Sequence, residues 1–271
     1  MDVGFQYLSF LSDNYWHSKG IGGFGALDYL INAEKIPFHE AVEAVIGAAP
    51  PTAARLWQAE QTKMFMLPEK AGTQLRIYDY LCKKRGINHD IVHRLIQEKK
   101  LYEDRRGNVV FVGYDEHNKP RFASVRGTYK QVYRMDCAGS DKRYGFNMAA
   151  NAPSVRLYVF ESPIDAMSHA SLAIAEMGDK TAWEYDRRLS LGGLSDTALF
   201  FFLHQHKSVK ELVFCLDNDM AGLEATAVMA KKYADIGFNT WTEPPYNKDY
   251  NLDLLDFYIE QIHLCKRERS R

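Results

Sequence analysis

The sequence predicts an α/β protein, with a parallel sheet flanked by helices in its carboxy-terminal half and a smaller α+β part before it. Two observations carry this. From Leu157 onward, short apolar runs alternate with longer stretches of helical spacing, the pattern of parallel strands joined by crossover helices. Upstream, two amphipathic helical stretches are followed by paired apolar runs around Glu116-His117-Asn118-Lys119-Pro120, which reads as a β-hairpin.

A chain of 271 residues can bury one large core or two modest ones. With 46% hydrophobic, 25% charged and 13% aromatic residues it has an ordinary globular composition. A formal net charge of -1 gives no global attraction to nucleic acid, so any basic surface must be local. Cys82, Cys137, Cys215 and Cys265 are far apart and form no C-x-x-C pair, which fits a reducing cytoplasm. The apolar opening lacks a basic flank and a cleavage site, and no run approaches the roughly 18 apolar residues of a membrane helix, so no membrane partner is expected.

In chain order, Phe5 to Leu11 and Asn14 to Lys19 read as strands, and Ala26 to Ile31 and Ala41 to Ile46 as short helices. Between them, Gly20-Ile21-Gly22-Gly23-Phe24-Gly25 matches G-x-G-x-x-G. The match lacks the buried strand before it and the second strand ending at the acidic residue, so dinucleotide binding is set aside. Residues 52 to 68 read as a linker. Leu75 to Leu81 and His89 to Lys99 have helical spacing, with Gly86 stopping the first. His89 and His93 stand one helical turn apart, but no third ligand is evident and surface histidines are common.

The hairpin, Val109 to Gly113 and Arg121 to Arg126, is followed by basic residues mixed with aromatic ones: Arg126, Lys130, Arg134, Lys142 and Arg143 with Tyr129, Tyr133 and Tyr144. Arg126, Lys130, Lys142, Arg143 and Tyr144 are the candidate nucleic-acid contacts, since cations meet phosphates and rings stack on bases. The plain alternative is a solvated hairpin face.

The strand at Leu157 to Phe160 stops at Glu161-Ser162-Pro163-Ile164-Asp165-Ala166. The strand at Glu211 to Leu216 stops at Asp217-Asn218-Asp219, before a helix opening at Met220-Ala221-Gly222. In a parallel α/β sheet ligands gather outside the carboxyl ends of strands, so Glu161, Asp217 and Asp219 are expected to converge on one crevice and suit a hard divalent cation. Helix capping is the competing use of such an Asp. Strands are also expected at Arg188 to Leu191 and Phe238 to Trp241, with a Gly192-Gly193 turn permitting close approach of phosphate, and an acidic loop at 247 to 253 precedes a last helix.

Strand-Glu-x-x-x-Asp-Ala, a Gly-Gly turn, then strand-Asp-x-Asp-x-Ala-Gly resembles the Toprim domain of DnaG-type primases, topoisomerases and related nucleases. The likeness covers about 155 to 260. The helices, Arg85-Gly86-Ile87, the hairpin and Ser140-x-Lys142-x-Tyr144-Gly145-Phe146 make 70 to 150 resemble the subdomain before Toprim in such primases, nearest to the primase-like proteins of bacterial mobile elements. Residues 1 to 50 resemble the second half of a primase zinc-binding domain through Trp16, Gly22-Gly23, Asp28-Tyr29-Leu30 and Phe38-His39-Glu40-Ala41-Val42. The cysteine ligands are missing, so no zinc site is expected, and the segment begins abruptly, as if truncated.

The resemblance implies magnesium or manganese held by Asp217 and Asp219, with Glu161 joining them or acting as general acid/base. Asp165 and Asp249 match further acidic positions, whereas Asn251 stands where primases carry another carboxylate. It implies metal-dependent phosphoryl transfer, read as nucleotide condensation on single-stranded DNA in replication of a mobile element. Nucleoside triphosphates and a replicative helicase or relaxase are the other implied partners. A nicking Toprim nuclease and a non-catalytic DNA-binding replicon protein are the alternatives.

Overall fold

The computed structural model describes residues 64–129 and 133–269, and before them only 15–16, 21–22, 30, 36–37, 40–41 and 44. The chain divides into two compact units, Met1–Thr62 and Lys63–Arg271. In the first, β1 (Tyr15–Trp16) pairs antiparallel with β2 (Ile21–Gly22), and Ala41 is buried. The expected strand at 5–11, most of both short helices and most of the zinc-domain-like motif lie outside the described residues, as does Lys130.

The second unit opens with a helix, α1, that begins as Leu75–Ile77 and continues with π-helical bonding over Tyr78–Lys84. It ends at Gly86, whose φ of +71° turns the chain away. The second helix, α2 (His89–Gln97), is capped by Asn88, whose side chain accepts from the Asp90 N–H at 2.8 Å.

A four-stranded antiparallel sheet follows, in the order β3 (Leu101–Glu103), β4 (Val109–Tyr114), β5 (Pro120–Arg126), β6 (Arg134–Asp136). The hairpin is as expected; β3 and β6 are additional, too short to register as runs. Val109 and Phe111 of β4 pack into the main core with Ile77, Leu81, Ile91 and Leu95. Val110 and Val112 point the other way, onto Tyr102, Ala123 and Val125. Period-two alternation with both faces covered explains why β4 is apolar throughout.

The larger sheet has the order β11 (Asn239–Thr242), β10 (Glu211–Phe214), β8 (Arg156–Phe160), β9 (Arg187–Ser190), β7 (Asn147–Met148). The first four strands are parallel; β7 is an antiparallel edge strand that its two-residue length hid in the sequence. Crossover helices are α3 (Pro163–Met177), α4 (Thr197–Gln205) and α5 (Met220–Asp235), and α6 (Tyr250–Arg269) closes the chain. Gly178, at φ +65°, ends α3. The main core joins both parts: Phe146, Phe160, Ile164, Met167, Val213 and Leu254 are packed in one cluster with the side chains of α1 and α2. No described helix is long and apolar enough to cross a membrane.

Candidate active site

Parallel pairing sets Phe214 opposite Val159, and the Cys215 N–H still donates to Val159 O at 2.8 Å, so Glu161 and Asp217 leave the sheet at the same carboxyl edge. Glu161 is tied through its backbone: its carbonyl accepts from Gly193 N at 3.2 Å and Ser190 Oγ at 3.3 Å. The Gly192-Gly193 pair takes φ values of +68° and +142°, so the turn itself requires glycine. Neither glycine is among the residues that line the cleft at this edge.

A cleft of about 210 Å³ opens at this edge, lined by the acidic groups Glu161, Asp165, Asp217 and Asp249. It is lined equally by cations: Arg85, Arg126, Arg134 and Lys248. Arg126 ends β5 and Arg134 begins β6, paired in register, so the small sheet presents two guanidinium groups on one rim. Arg134 Nη1 stands 3.6 Å from Glu161 Oε1. Arg126 is half-buried, and burial, then the nearby Arg134 and Arg85 charges, press its pKa down against the pull of Tyr80.

Ser162 caps α3 and its hydroxyl donates to Asp165 Oδ2 at 2.5 Å. Asp165 is only 6% exposed, and its carboxyl is pushed up to about 6 by burial, with Asp249 and Glu161 adding to the rise. Asp217 is pushed up to about 7, first by burial and then by repulsion from Asp165, Glu161, Asp249 and Asp219. Mutual repulsion of hard oxygen donors around one space is what a divalent cation relieves, so the donor chemistry fits magnesium or manganese. Among the described residues no three His, Cys, Asp or Glu side chains are arranged to grip an ion as they stand.

Asp219 is not among the residues lining the cleft, although its charge reaches Asp217. Its carboxylate caps α5, accepting from Gly222 N at 3.0 Å, and Lys248 Nζ lies 3.6 Å from its other oxygen. The cap bond and Lys248 hold its pKa below the usual carboxylate range. A Cβ on Gly222 would lie 2.0 Å from Asp217 O, so glycine is what lets α5 start against the Asp217 backbone. Asn218 N donates to Lys248 O at 2.8 Å, tying this loop to the acidic loop. There Asp249 caps α6 through Leu252 N at 2.8 Å.

Of the expected nucleic-acid contacts, Arg126 lines the cleft, and Lys142, Arg143 and Tyr144 do not. Lys142 pairs with Asp136 at 3.3 Å, and Arg143 with Asp141 at 2.6 Å, while the Arg143 guanidinium sits over the Tyr144 and Phe201 rings. Arg85 and Lys248 line the cleft without having been singled out from sequence. Arg85 precedes the helix-ending Gly86, a signal of position but not of role.

Residues 158–254 match the family model described as Toprim-like. The chain carries a Toprim-like domain. Residues 79–152 match a second family, described as a protein of unknown function, DUF3991. The chain is 23% identical over 238 residues to an uncharacterized protein of Bacillus anthracis, covering 77% of this chain and 63% of that one. It is 27% identical over 171 residues to the 65 kDa protein of Zymomonas mobilis, covering 57% of this chain and 28% of the relative. It thus spans less than two thirds of either relative. Among solved structures, the primase fragment of the bacteriophage T7 primase-helicase protein is similar at TM-score 0.46 and 16% identity, over 67% of this chain and 71% of that one. The Aquifex aeolicus primase, zinc-binding and RNA polymerase domains, is similar at TM-score 0.46 and 14% identity, over 92% and 71%.

Proposed function

We propose that the cleft carries out divalent-ion-dependent phosphoryl transfer on nucleic acid, as a primase-like condensation of nucleoside triphosphates on single-stranded DNA. One observation carries the reading: Glu161, Asp165, Asp217 and Asp249 line one small cleft together with Arg85, Arg126, Arg134 and Lys248. Cations hold and align phosphate oxygens, and carboxylates suit a hard ion, so a cleft lined by both suits a phosphate chain carrying its metal. Glu161 and Asp217, with Asp165 and Asp249 beside them, would hold magnesium or manganese, which would supply charge neutralisation at the transferring phosphate.

The chain's own residues do the rest. Arg126 and Arg134 orient the phosphates from the β5–β6 rim, and Lys248 from the opposite loop. Asp217, whose carboxyl is pushed up to about 7 in the ion-free cleft, gives up its proton on taking the ion. Glu161, anchored through its carbonyl and 3.6 Å from Arg134, joins Asp217 at the ion or acts as the general acid/base group. Asp219 holds the helix start that positions Asp217. We extend the reading to replication of a mobile element beside a helicase or relaxase, on the resemblance to primase-like proteins of such elements.

The test is incubation with single-stranded DNA, ribonucleotides and magnesium or manganese, scoring new oligonucleotides and nicks in the same tube. New oligonucleotides that disappear in Asp217→Asn support the proposal. Nicks without synthesis favour the nuclease, and neither product with retained DNA binding favours a binding module.

A further inference from the structure

We propose that the cleft is built for one divalent ion rather than two, and that the Arg85 guanidinium, fixed by Asn251 and Tyr80, supplies the second positive charge to the substrate's phosphates. This rests on reading the cleft as an ion and phosphate site.

Asn251 lines the cleft but is 1% exposed, and its side chain is spent. Its Oδ1 accepts from Arg85 Nη1 at 2.9 Å, and its Nδ2 donates to Arg85 O at 2.7 Å and Ser168 Oγ at 3.0 Å. The network fixes which end is oxygen, because the flipped amide would set N–H groups against a guanidinium and oxygen against a carbonyl. A neutral amide bonded in this way offers an ion little.

Arg85 is held by neutral groups throughout. Its Nε and Nη2 donate to Tyr80 Oη at 3.1 and 2.9 Å, and its carbon lies 5.3 Å from the Tyr80 ring centroid. Among the described residues no carboxylate pairs with it. Two of its five N–H donors have no partner among the described residues, on a side chain that lines the cleft. On that side Asp249 is already engaged as a helix cap. In about 210 Å³, a second ion beside this fixed cation would be repelled, whereas a phosphate oxygen would be drawn in. Glu161 and Asp217, on the sheet side, are left for the single ion.

The test is titration of the full chain with Mn²⁺, read by paramagnetic resonance and calorimetry, and separately with inorganic tripolyphosphate in the presence of Mn²⁺. The expected result is one Mn²⁺ per chain in the wild type and two in the Arg85→Ala/Asn251→Asp double variant. Two ions in the wild type, or one in a folded double variant, overturn the proposal. Arg85→Ala alone leaves Asn251 in place and keeps the metal readout independent of the double variant's folding. It should still bind one Mn²⁺ but hold tripolyphosphate roughly tenfold or more weakly, the loss of a charge-assisted bond. Unchanged tripolyphosphate affinity overturns the role of Arg85. A wild type that binds no Mn²⁺ contradicts the ion-site reading itself, an outcome distinct from two ions.

Discussion

Replacing Asp217 with Asn should stabilise the ion-free protein, and only above the acid range. In the folded chain the Asp217 carboxyl is raised to about 7 from an ordinary 3.8. Below the ordinary value both folded and unfolded chains hold the proton and no penalty exists. Between there and about pH 7 the unfolded chain has released the proton while the folded chain keeps it, so stability falls as pH rises; above about 7 the penalty is complete. At face value the rise corresponds to ~4 kcal/mol. Because the group stands in an open cleft, solvent screening reduces this to about 1–2 kcal/mol. For a unit of this size that is a melting temperature roughly 2–8 °C higher for Asp217→Asn at pH 8 in a chelator. Scanning calorimetry at pH 8 and pH 4 reads it. A variant no more stable than wild type at pH 8, or a gap that does not shrink in acid, refutes strain in the acidic cluster.

Gly222→Ala forces a Cβ toward Asp217 O, a backbone atom that cannot swing aside, and should cost roughly 1–3 kcal/mol by denaturant unfolding as overpacking does. Asp219→Ala should lower the melting temperature by removing the α5 cap, while Asp219→Asn, which also caps, stays near wild type; equal loss in both would place the role of Asp219 elsewhere. Arg126→Ala should weaken single-strand binding and flatten its dependence on salt, whereas Lys142→Ala, removing a cation already paired with Asp136, should do so less. Equal effects, measured by fluorescence anisotropy across salt concentrations, would place the nucleic acid on the outer hairpin surface instead.

The carboxyl edge was legible because parallel strands advertise themselves: Leu157 to Phe160 and Glu211 to Leu216 are apolar runs that end in acid, and topology sends such ends to one side. Glu161 and Asp217 could therefore be named from their strand ends, whereas Asp165 and Asp249 were named only through the resemblance to the Toprim domain. Asp219 could not be resolved between ion and cap, because an Asp two residues after another is compatible with either; the orientation depends on the Gly222 N–H. The cations were harder. Arg126 was visible within a basic run, but Lys142 and Arg143 in the same run are engaged by Asp136 and Asp141, pairings no linear pattern announces. Arg85 reaches the cleft only because α1 packs into the same core as the Toprim-like sheet, through contacts far apart in sequence, and Asn251 completes that joint across 166 positions. The short strands β3, β6 and β7 went unseen, since two or three residues carry no period.

The most direct test of an ion-holding cleft is anomalous diffraction from crystals of the chain soaked in Mn²⁺ at neutral pH or above, where the Asp217 proton is readily given up. The predicted result is a single anomalous peak beside the carboxyl groups of Glu161 and Asp217, with the Arg85 guanidinium still bonded to Asn251. A cleft without any peak, or one with its peak on Asp219 and none at Glu161, would contradict it.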